Sequence, residues 1–290
     1  MTQVASIPRC VPIESHISDA AYARIVELSK SQAGIMLSPS KVSMVKSRLT
    51  RRLRFLGIPT FEGYLDYLER AENADEMSAF VSALTTNVTQ FFRENHHFDY
   101  IRTTIYPQLK TKLERGEKVR IWSAGCSNGQ EPYSIAMTLL DCDPAIGSKD
   151  CLILATDIDP VVLATASAAS YADSLIGGIP EPLLTKSFTV SQEADALRYH
   201  VTDKVKSLVR FRQLNLNDDW PMQGSFDLIM CRNVMIYFDT ATQSRLLTRF
   251  CNKLTQNGWL MIGHSERLPD DIAPQLTNVG VTTYTRALKH

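Results

Sequence analysis

From Val119 onward, short apolar segments with strand-like composition alternate with segments of helical periodicity. In chain order the strand-like segments are VRIWSAG, CLILATD, VRFRQLNL, FDLIMCRN, GWLMIGH and VTTYTR. The segments between them, such as SIAMTLLD and TQSRLLTRFCNKL, repeat apolar residues at spacings of three and four. This alternation is typical of an α/β protein with a doubly wound sheet, in which helices connect parallel strands.

Two regions depart from the alternation. From about Ser18 to Asn87 the periodicity is helical throughout. We therefore predict a small N-terminal helical domain within residues 1–90 and an α/β domain at residues 91–290. The connection between the second and third strand-like segments is unusually long, and within it KSFTV and LRYHV alternate like short strands around a polar turn. We expect an inserted antiparallel β-subdomain at about residues 170–208.

Composition indicates an ordinary globular protein. Of the 290 residues, 44% are hydrophobic and 21% are charged, and the formal net charge is zero. A neutral chain has no overall field that would attract nucleic acid or a membrane surface. No apolar run approaches the roughly 18 residues of a membrane helix, and MTQVASIPRCVPIESH lacks the features of a signal peptide. We expect a cytoplasmic location without membrane insertion.

The cysteines and histidines show no spacing typical of a disulfide framework or a zinc site. None of the cysteines forms a C-x-x-C pair, so we expect reduced and mostly buried thiols and no metal. The six cysteines are Cys10, Cys126, Cys142, Cys151, Cys231 and Cys251.

The segment SKVSMVKSRLTRRLRFLG predicts an amphipathic helix with a basic face. Its apolar stripe consists of Val42, Val45, Leu49, Leu53 and Leu56. Three arginines are predicted on the opposite face: Arg48, Arg51 and Arg54. Because no acidic residue occurs between Glu27 and Glu62, we predict that this face binds an acidic partner. A solvated surface is the alternative interpretation.

In the stretch VRIWSAGCSNGQEPYSIAM a strand passes through a glycine turn into a helix, an arrangement that favours ligand binding at the turn. The spacing of Gly125 and Gly129 fits neither of the common phosphate-binding motifs, and Glu131 would repel a phosphate. A carboxylate here suits a ligand with a cationic end and a ribose, so S-adenosylmethionine is favoured over a dinucleotide. The alternative is an ordinary turn, with Pro132 and Glu131 placed to favour the helix start.

Ligands of doubly wound sheets bind at the carboxyl ends of the strands. Asp157 ends one strand and can accept hydrogen bonds from ribose hydroxyls, whereas Asp159 suits a helix N-cap. After the next strand, the amide of Asn215 and the backbone N–H of Leu216 can read an adenine edge; a turn asparagine is the alternative. The strand in FDLIMCRNVMIYF is followed by Arg232, Asn233 and, on a helix, Tyr237.

Four motifs together closely resemble the chemotaxis receptor methyltransferases, the CheR family: TTNVTQFFRENHHF, WSAGCSNGQEPYSIAM, ATDIDP and FDLIMCRNVMIYFD. Members of this family transfer a methyl group from S-adenosylmethionine to glutamate side chains of chemoreceptors. The resemblance covers about Ile17 to Tyr284, with the domains in family order. It implies a Rossmann-like methyltransferase sheet, S-adenosylmethionine as cofactor and the cytoplasmic helical region of chemoreceptors as partner. We expect a monomer.

The resemblance also implies a set of site residues. The implied cofactor contacts are Asn87, Thr89, Arg93, Glu131, Asp157, Asn215, Leu216, Arg232 and Asn233. Arg93 and Tyr237 match the pair associated with the chemistry. Because a glutamate carboxylate is already ionised at neutral pH, the reaction requires positioning rather than a strong base.

Each of these roles has a structural alternative. Asn87 and Gln90 have capping-box spacing, which would make Asn87 a helix N-cap and place Arg93 one turn into that helix. Arg93 could instead form an ion pair, and Tyr237 could be a core aromatic.

Two other functions fit the sequence less well. NVMIY differs in spacing and in both prolines from the N-P-P-Y motif of amino-group methyltransferases. An alternative from a different class is a non-catalytic cofactor-sensing or nucleic-acid-binding module that uses the basic helix. A nucleic-acid binder would be expected to show interleaved aromatics or an overall basic charge, so we expect no nucleic-acid partner. The predicted hairpin turn SQEADA contains no glycine, whereas a glycine-rich turn is expected in members that bind a receptor C-terminal peptide. The sequence therefore does not predict such tethering.

Overall fold

A computed structural model describes residues 12–85, 87–193 and 196–286. The chain divides into two compact units, Met1–Thr86 and Asn87–His290. The division falls a few residues before the domain boundary predicted from the sequence. Within the described ranges, no helix is both long and apolar enough to cross a membrane.

The first unit is built from helices. They are α1 (Asp19–Ala33), α2 (Val42–Leu56), α3 (Phe61–Leu68) and α4 (Ala74–Leu84). The side chains of Ser18 and Thr60 cap α1 and α3 by accepting backbone N–H groups. Gly34 and Gly57 end α1 and α2 with φ values of 70° and 69°, the left-handed conformation that favours glycine.

Helix α2 has the predicted apolar stripe. Val45, Leu49 and Leu53 are completely buried, and Val42 and Leu56 are partly buried. On the other side of the helix, two of the three arginines, Arg51 and Arg54, are exposed.

The prediction that Arg48 shares this solvent face is wrong. Its Nη1 donates to the carbonyl oxygens of Leu84 at 2.8 Å and Thr85 at 2.7 Å. These carbonyls lie at the C-terminal end of α4, where helical carbonyl groups lack intrahelical partners and attract cations. Arg48 therefore stabilises the packing of α2 against α4.

We expect Arg48→Ala to lower the stability of the first unit by about 1 to 3 kcal/mol, because it removes charged hydrogen bonds from partly buried carbonyls. Hydrogen-exchange protection of the α4 amides measures this loss locally. The control Arg51→Ala, on the same helix, should change stability by no more than about 0.5 kcal/mol. Equal protection in the two variants would contradict a structural role for Arg48.

The second unit contains strands β1 (Val119–Ala124), β2 (Cys151–Asp157), β3 (Ser170–Ala172), β4 (Phe188–Glu193), β5 (Ala196–Val201), β6 (Val209–Gln213), β7 (Phe226–Cys231), β8 (Leu254–Ile262), β9 (Leu276–Gly280) and β10 (Thr283–Arg286). One sheet has the order β6-β2-β1-β7-β8-β10-β9. Its strands from β6 to β8 pair in parallel, whereas β10 pairs antiparallel with β8 and β9. The strand order reverses between β1 and β7, which makes this the topological switch point.

The helices of this unit are α5 (His96–Tyr100), α6 (Tyr106–Glu114), α7 (Gln130–Cys142), α8 (Pro160–Ala168), α9 (Glu181–Ser187), α10 (Asp203–Lys206) and α11 (Thr240–Lys253). A π-helical turn separates α5 from α6, and a short 3-10 helix covers Met235–Tyr237. The doubly wound architecture predicted from the alternation is confirmed.

The sheet is buried on both faces. Along β1, Ile121 packs into one apolar cluster and Trp122 into another. Along β7, Leu228 and Ile229 divide between the same two clusters. This explains why these strands are almost continuously apolar, as is typical of parallel sheets covered by helices.

The inserted β-subdomain is present as an antiparallel sheet of order β3-β5-β4. The predicted hairpin corresponds to β4 and β5, and residues 194–195 of its glycine-free turn lie outside the described residues. Two strands were not predicted. β3 has only three residues, and β9 (LTNVG) is mostly exposed, so neither has a pronounced apolar pattern.

The described cysteines are free thiols, four of them buried and Cys142 partly buried. Burial raises the pKa of Cys126 and of Cys231 well above the ordinary value for a thiol. The predicted burial is confirmed for four of these five cysteines, the reduced state remains a prediction, and Cys10 lies outside the described residues.

Candidate functional site

The turn after β1 requires its glycines. Gly125 and Gly129 have φ values of 81° and 87°. A Cβ on Gly125 would collide with Cγ2 of Val234, and a Cβ on Gly129 would lie 2.8 Å from the Cβ of Ala166. The glycines therefore allow this turn to approach both the loop after β7 and helix α8.

Asp157, at the end of β2, closes the same turn. One of its carboxylate oxygens accepts the N–H of Ser127 at 2.8 Å, and the other accepts the N–H of Asp159 at 3.0 Å. Asp157 is 8% exposed, and burial raises its pKa while these N–H groups oppose the rise. Each carboxylate oxygen can accept a further hydrogen bond, so Asp157 can also receive a ligand hydroxyl.

Asn87 joins this network from the start of the second unit. Its Nδ2 donates to Asp159 at 2.8 Å, and its carbonyl oxygen accepts the hydroxyl of Ser127 at 2.9 Å. Asp159 also accepts the N–H of Val161 at 2.8 Å and so caps α8, as predicted. The structure thus links Asn87 with Asp157, which are distant in sequence, through Ser127 and Asp159.

The capping-box interpretation of Asn87 is wrong. No helix follows it directly, since residues 87–90 lack regular structure and α5 begins at His96. Arg93 consequently lies in a turn rather than one turn into a helix. The reason is backbone conformation, because Phe92 and Glu94 have φ values of 53° and 56°, which a right-handed helix cannot contain.

Arg232, which directly follows β7, contacts two other segments of the site. Its Nη1 donates to Oε2 of Glu131 at 3.2 Å, and its Nη2 donates to the carbonyl oxygen of Arg93. The same Nη2 lies 3.4 Å from Oε2 of Glu94. Glu131 is held from the other side by the hydroxyl of Ser123 at 2.7 Å. The structure therefore brings together Arg93, Glu131 and Arg232, which the sequence assigned to one site.

Glu94 is a member of this site that the sequence did not indicate. Its side chain is 10% exposed, and Oε1 accepts Nδ1 of His264 at 2.9 Å. Burial alone would raise the pKa of Glu94, but the His264 hydrogen bond and the Arg232 charge outweigh it and lower the pKa to about 2. Burial raises the pKa of Glu131, against the opposing effects of Arg232 and Ser123.

Glu94, His96 and His97 each offer a possible metal ligand, and these atoms lie within 4.8 Å of one another. The Arg232 guanidinium, however, already compensates the charge of Glu94 from 3.4 Å. Burial and the Arg232 charge lower the pKa of His97 to about 3, and its Nε2 is hydrogen-bonded to Thr282 at 2.9 Å. A second cation beside this guanidinium would be repelled. The expectation that the protein uses no metal remains a prediction.

Of the two residues predicted for the chemistry, Arg93 lies in a turn and Tyr237 in a short 3-10 helix. Nη1 of Arg93 donates to the carbonyl oxygen of Val88 at 3.1 Å, and within the described ranges Arg93 forms no ion pair. Tyr237 ends the 3-10 helix after β7 and is half-buried, unlike a core aromatic. Thr89 is also half-buried, in the segment without regular structure that precedes Arg93.

Asn215 forms a turn after β6. Its Oδ1 accepts the N–H of Asn217, and its Nδ2 donates to Asp218, both at 3.1 Å. The turn interpretation is therefore confirmed, and the adenine contact remains a prediction. Leu216 is buried, and its carbonyl oxygen accepts side-chain hydrogen bonds from Trp220 and Arg249.

Glu266 is a second site residue that the sequence did not indicate. Its carboxylate accepts the N–H groups of Val234 at 3.0 Å, Met235 at 2.8 Å and Gly263 at 2.6 Å. It thereby fixes the loop that carries Asn233 and Tyr237. The sequence feature that could have indicated Glu266 is its position just after the end of a predicted strand. Burial raises the pKa of Glu266, and these N–H groups oppose the rise.

The charged and hydrogen-bonding side chains of this site fit S-adenosylmethionine. The buried carboxylates of Asp157 and Glu131 suit ribose hydroxyls and an ammonium group. Nε of Arg232 is buried, and no acceptor for it occurs among the described residues, so this guanidinium retains a donor. No lysine or arginine occurs in the turn sequence GCSNG between β1 and α7, and a phosphate ligand is therefore less well matched.

Two family models match the chain. "CheR methyltransferase, all-alpha domain" matches residues 20–85, and "CheR methyltransferase, SAM binding domain" matches residues 87–285. These ranges correspond closely to the two compact units.

Similar proteins match over most of their length. A probable chemotaxis protein methyltransferase of Rhizobium etli is 42% identical over 259 residues, which cover 89% of this chain and 97% of that protein. Chemotaxis protein methyltransferase 2 of Pseudomonas aeruginosa is 40% identical, with coverage of 94% and 95%. The chemotaxis protein methyltransferase of Escherichia coli is 38% identical, with coverage of 92% and 91%.

We expect Glu94→Gln to remove a pH-dependent part of the stability. The folded pKa of about 2 lies below the ordinary value of 4.5, so the folded state binds fewer protons. The contribution is therefore fully present above pH 4.5 and is lost as the pH falls towards 2. Near neutral pH the variant should be about 2 to 3 kcal/mol less stable than the wild type.

Urea unfolding followed by tryptophan fluorescence measures this difference, because Trp122, Trp220 and Trp259 all lie in the second unit. The gap between wild type and variant should narrow as the pH is lowered from 7 to 3. A gap that stays constant over this range would contradict the role of the Glu94 charge.

Proposed function

Since the chain belongs to the CheR methyltransferase family, we propose that it methylates glutamate side-chain carboxylates of chemoreceptors, forming methyl esters for sensory adaptation. The observation that carries this proposal is the junction at Arg232, which joins Glu131 to the turn bearing Arg93. The similar proteins from Rhizobium etli, Pseudomonas aeruginosa and Escherichia coli are chemotaxis protein methyltransferases.

Residues at or shortly after the carboxyl ends of β1, β2 and β7 supply part of the proposed cofactor contacts. Asp157 would accept the ribose hydroxyls, and Glu131 and Arg232 would bind the amino-acid portion through their opposite charges. When bound, S-adenosylmethionine supplies an electrophilic methyl group on a positively charged sulfur. The remaining proposed contacts are Asn87, Thr89, Arg93, Asn215, Leu216 and Asn233.

Arg93 and Tyr237 would orient the attacking glutamate. Its carboxylate is ionised at neutral pH, so no residue of the chain has to remove a proton. A guanidinium and a hydroxyl can both donate hydrogen bonds to the carboxylate and align it for in-line attack. Too strong an ion pair would stabilise the anion before the reaction. The Val88 carbonyl oxygen already occupies Nη1 of Arg93, which limits the donors left for the substrate.

The exposed face of α2 is the proposed contact surface for a receptor. Arg51, Arg54 and Phe55 are exposed, and their spacing places them on one side of the helix. Phe55 is 77% exposed, and an exposed aromatic beside arginines favours a binding surface over a merely solvated one. We propose the helical cytoplasmic region of a chemoreceptor as the partner, which implies a cytoplasmic location. A monomeric chain suffices for this activity.

The proposal is tested by incubating the chain with methyl-labelled S-adenosylmethionine and cytoplasmic fragments of chemoreceptors. The expected product is a base-labile methyl ester on receptor glutamates. Tyr237→Phe should lower turnover while leaving the affinity for S-adenosylhomocysteine unchanged, because the hydroxyl is proposed to orient the substrate. Absence of ester on every fragment, with the cofactor bound, would refute the proposed substrate. Full turnover by Tyr237→Phe would show that the Tyr237 hydroxyl does not orient the substrate.

We expect Arg51→Glu combined with Arg54→Glu to raise the KM for receptor by about threefold to tenfold, because each exposed ion pair contributes up to about 1 kcal/mol. Methylation should also become less sensitive to salt. S-adenosylhomocysteine affinity should not change. Receptor titrations at low and high salt measure both effects.

Arg115→Glu combined with Lys118→Glu is the matched control. These residues are exposed beyond α6 and give the same change in charge. If this control raises KM as much as the α2 variant, the effect reflects net charge and the α2 surface is not the contact.

A further inference from the structure

The loop that follows β6 is held by side chains of α11 and by Trp220. Nη1 of Arg249 donates to the carbonyl oxygen of Leu216 at 2.8 Å, and its Nη2 donates to that of Asp218. Nε1 of Trp220 donates to the same Leu216 carbonyl at 3.1 Å. We call Arg249 and Trp220 the loop clamp.

The loop clamp is itself attached to the core of the sheet. The Arg249 guanidinium lies 4.0 Å from the centre of the Trp220 ring, a cation–π contact. Trp220 packs edge-on against Trp122 of β1, with ring centres 4.8 Å apart, and in a tilted arrangement against Phe250 of α11 at 5.0 Å. Trp122 is completely buried. The orientation of the loop is therefore set by the packing between β1 and α11.

The hydrogen bonds fix the peptide groups on both sides of Leu216. The carbonyl oxygen of Asn215, in the preceding peptide, accepts the N–H of Asp218 at 3.1 Å. The carbonyl oxygen of Leu216, in the following peptide, accepts both clamp bonds. None of these bonds uses the N–H of Leu216. Together they nevertheless fix the direction in which this N–H points.

We propose that Arg249 and Trp220 are positioning residues for adenine recognition. This inference rests on the proposed function, in which Asn215 and Leu216 contact the adenine. A backbone N–H held in a fixed direction donates to N1 of adenine but opposes the N1–H of hypoxanthine. The clamp thus determines selectivity for adenosine over inosine without touching the cofactor.

A purely structural role would have a different consequence. If the clamp only stabilised the unit, its loss would weaken the binding of both nucleosides by the same factor. Loss of positioning instead weakens the adenosine form selectively. The ratio of two dissociation constants therefore distinguishes the two roles.

The test compares S-adenosylhomocysteine with S-inosylhomocysteine by calorimetric titration of the full chain. The wild type should prefer the adenosine form, and Arg249→Met should reduce this preference by about tenfold, equivalent to one lost hydrogen bond. Trp220→Phe keeps the aromatic ring but removes one clamp bond, and should reduce the preference less. Arg210→Met, which removes a guanidinium bonded to carbonyls of Ser207 and Val209, should retain the wild-type ratio.

Arg249→Lys provides a second measurement if Arg249→Met does not fold, because lysine keeps the charge but lacks the rigid fork of two nitrogens that binds the two carbonyl oxygens. An unchanged ratio in a folded Arg249 variant would overturn the inference, as would a proportional loss for both ligands. A wild type that binds neither nucleoside would refute the proposed function itself.

Discussion

The site depends on the compensation of one buried guanidinium. Arg232 is 6% exposed, and an uncompensated charge at such a position would be strongly destabilising. Glu131 and Glu94 supply the opposing charges, and the Arg93 carbonyl oxygen supplies a further acceptor. Because these acceptors come from two separate segments, the turn with Arg93 and Glu94 and the start of α7, satisfying Arg232 also brings both segments to the end of β7. Compensation of the buried Arg232 charge and assembly of the site are therefore coupled.

The same region contains unusual backbone conformations. Phe92, Glu94, Ser127 and Asn233 all have positive φ values although none of them is glycine. Such conformations persist only where surrounding contacts compensate their cost. The N–H of Phe92 donates to the hydroxyl of Ser134 at 3.0 Å, and Glu266 binds the loop after Asn233. Fixed loops of this kind suit a reaction that relies on positioning rather than on a strong base.

The arginine side chains of this protein have different roles according to their burial. Arg48 satisfies carbonyl groups at the end of α4, and Arg249 satisfies carbonyl groups of the loop after β6. Arg51 and Arg54 remain exposed and can contact a partner. The sequence placed Arg48 with the exposed residues because helical spacing identifies a face of a helix but not what packs against it.

The sequence by itself determined the alternation of strands and helices, the inserted hairpin and the apolar stripe of α2, since burial imposes a local period that a single segment displays. It also indicated most of the proposed site, because Glu131, Asp157 and Arg232 follow strands whose carboxyl ends meet at one edge of the sheet. Only the tertiary structure decided that Glu94 and Glu131 flank Arg232, that Glu266 holds the loop after β7, and that Arg249 clamps the loop after β6. These contacts join residues far apart in the chain, and no local pattern specifies which distant charge or carbonyl group a side chain will meet once the segments are packed.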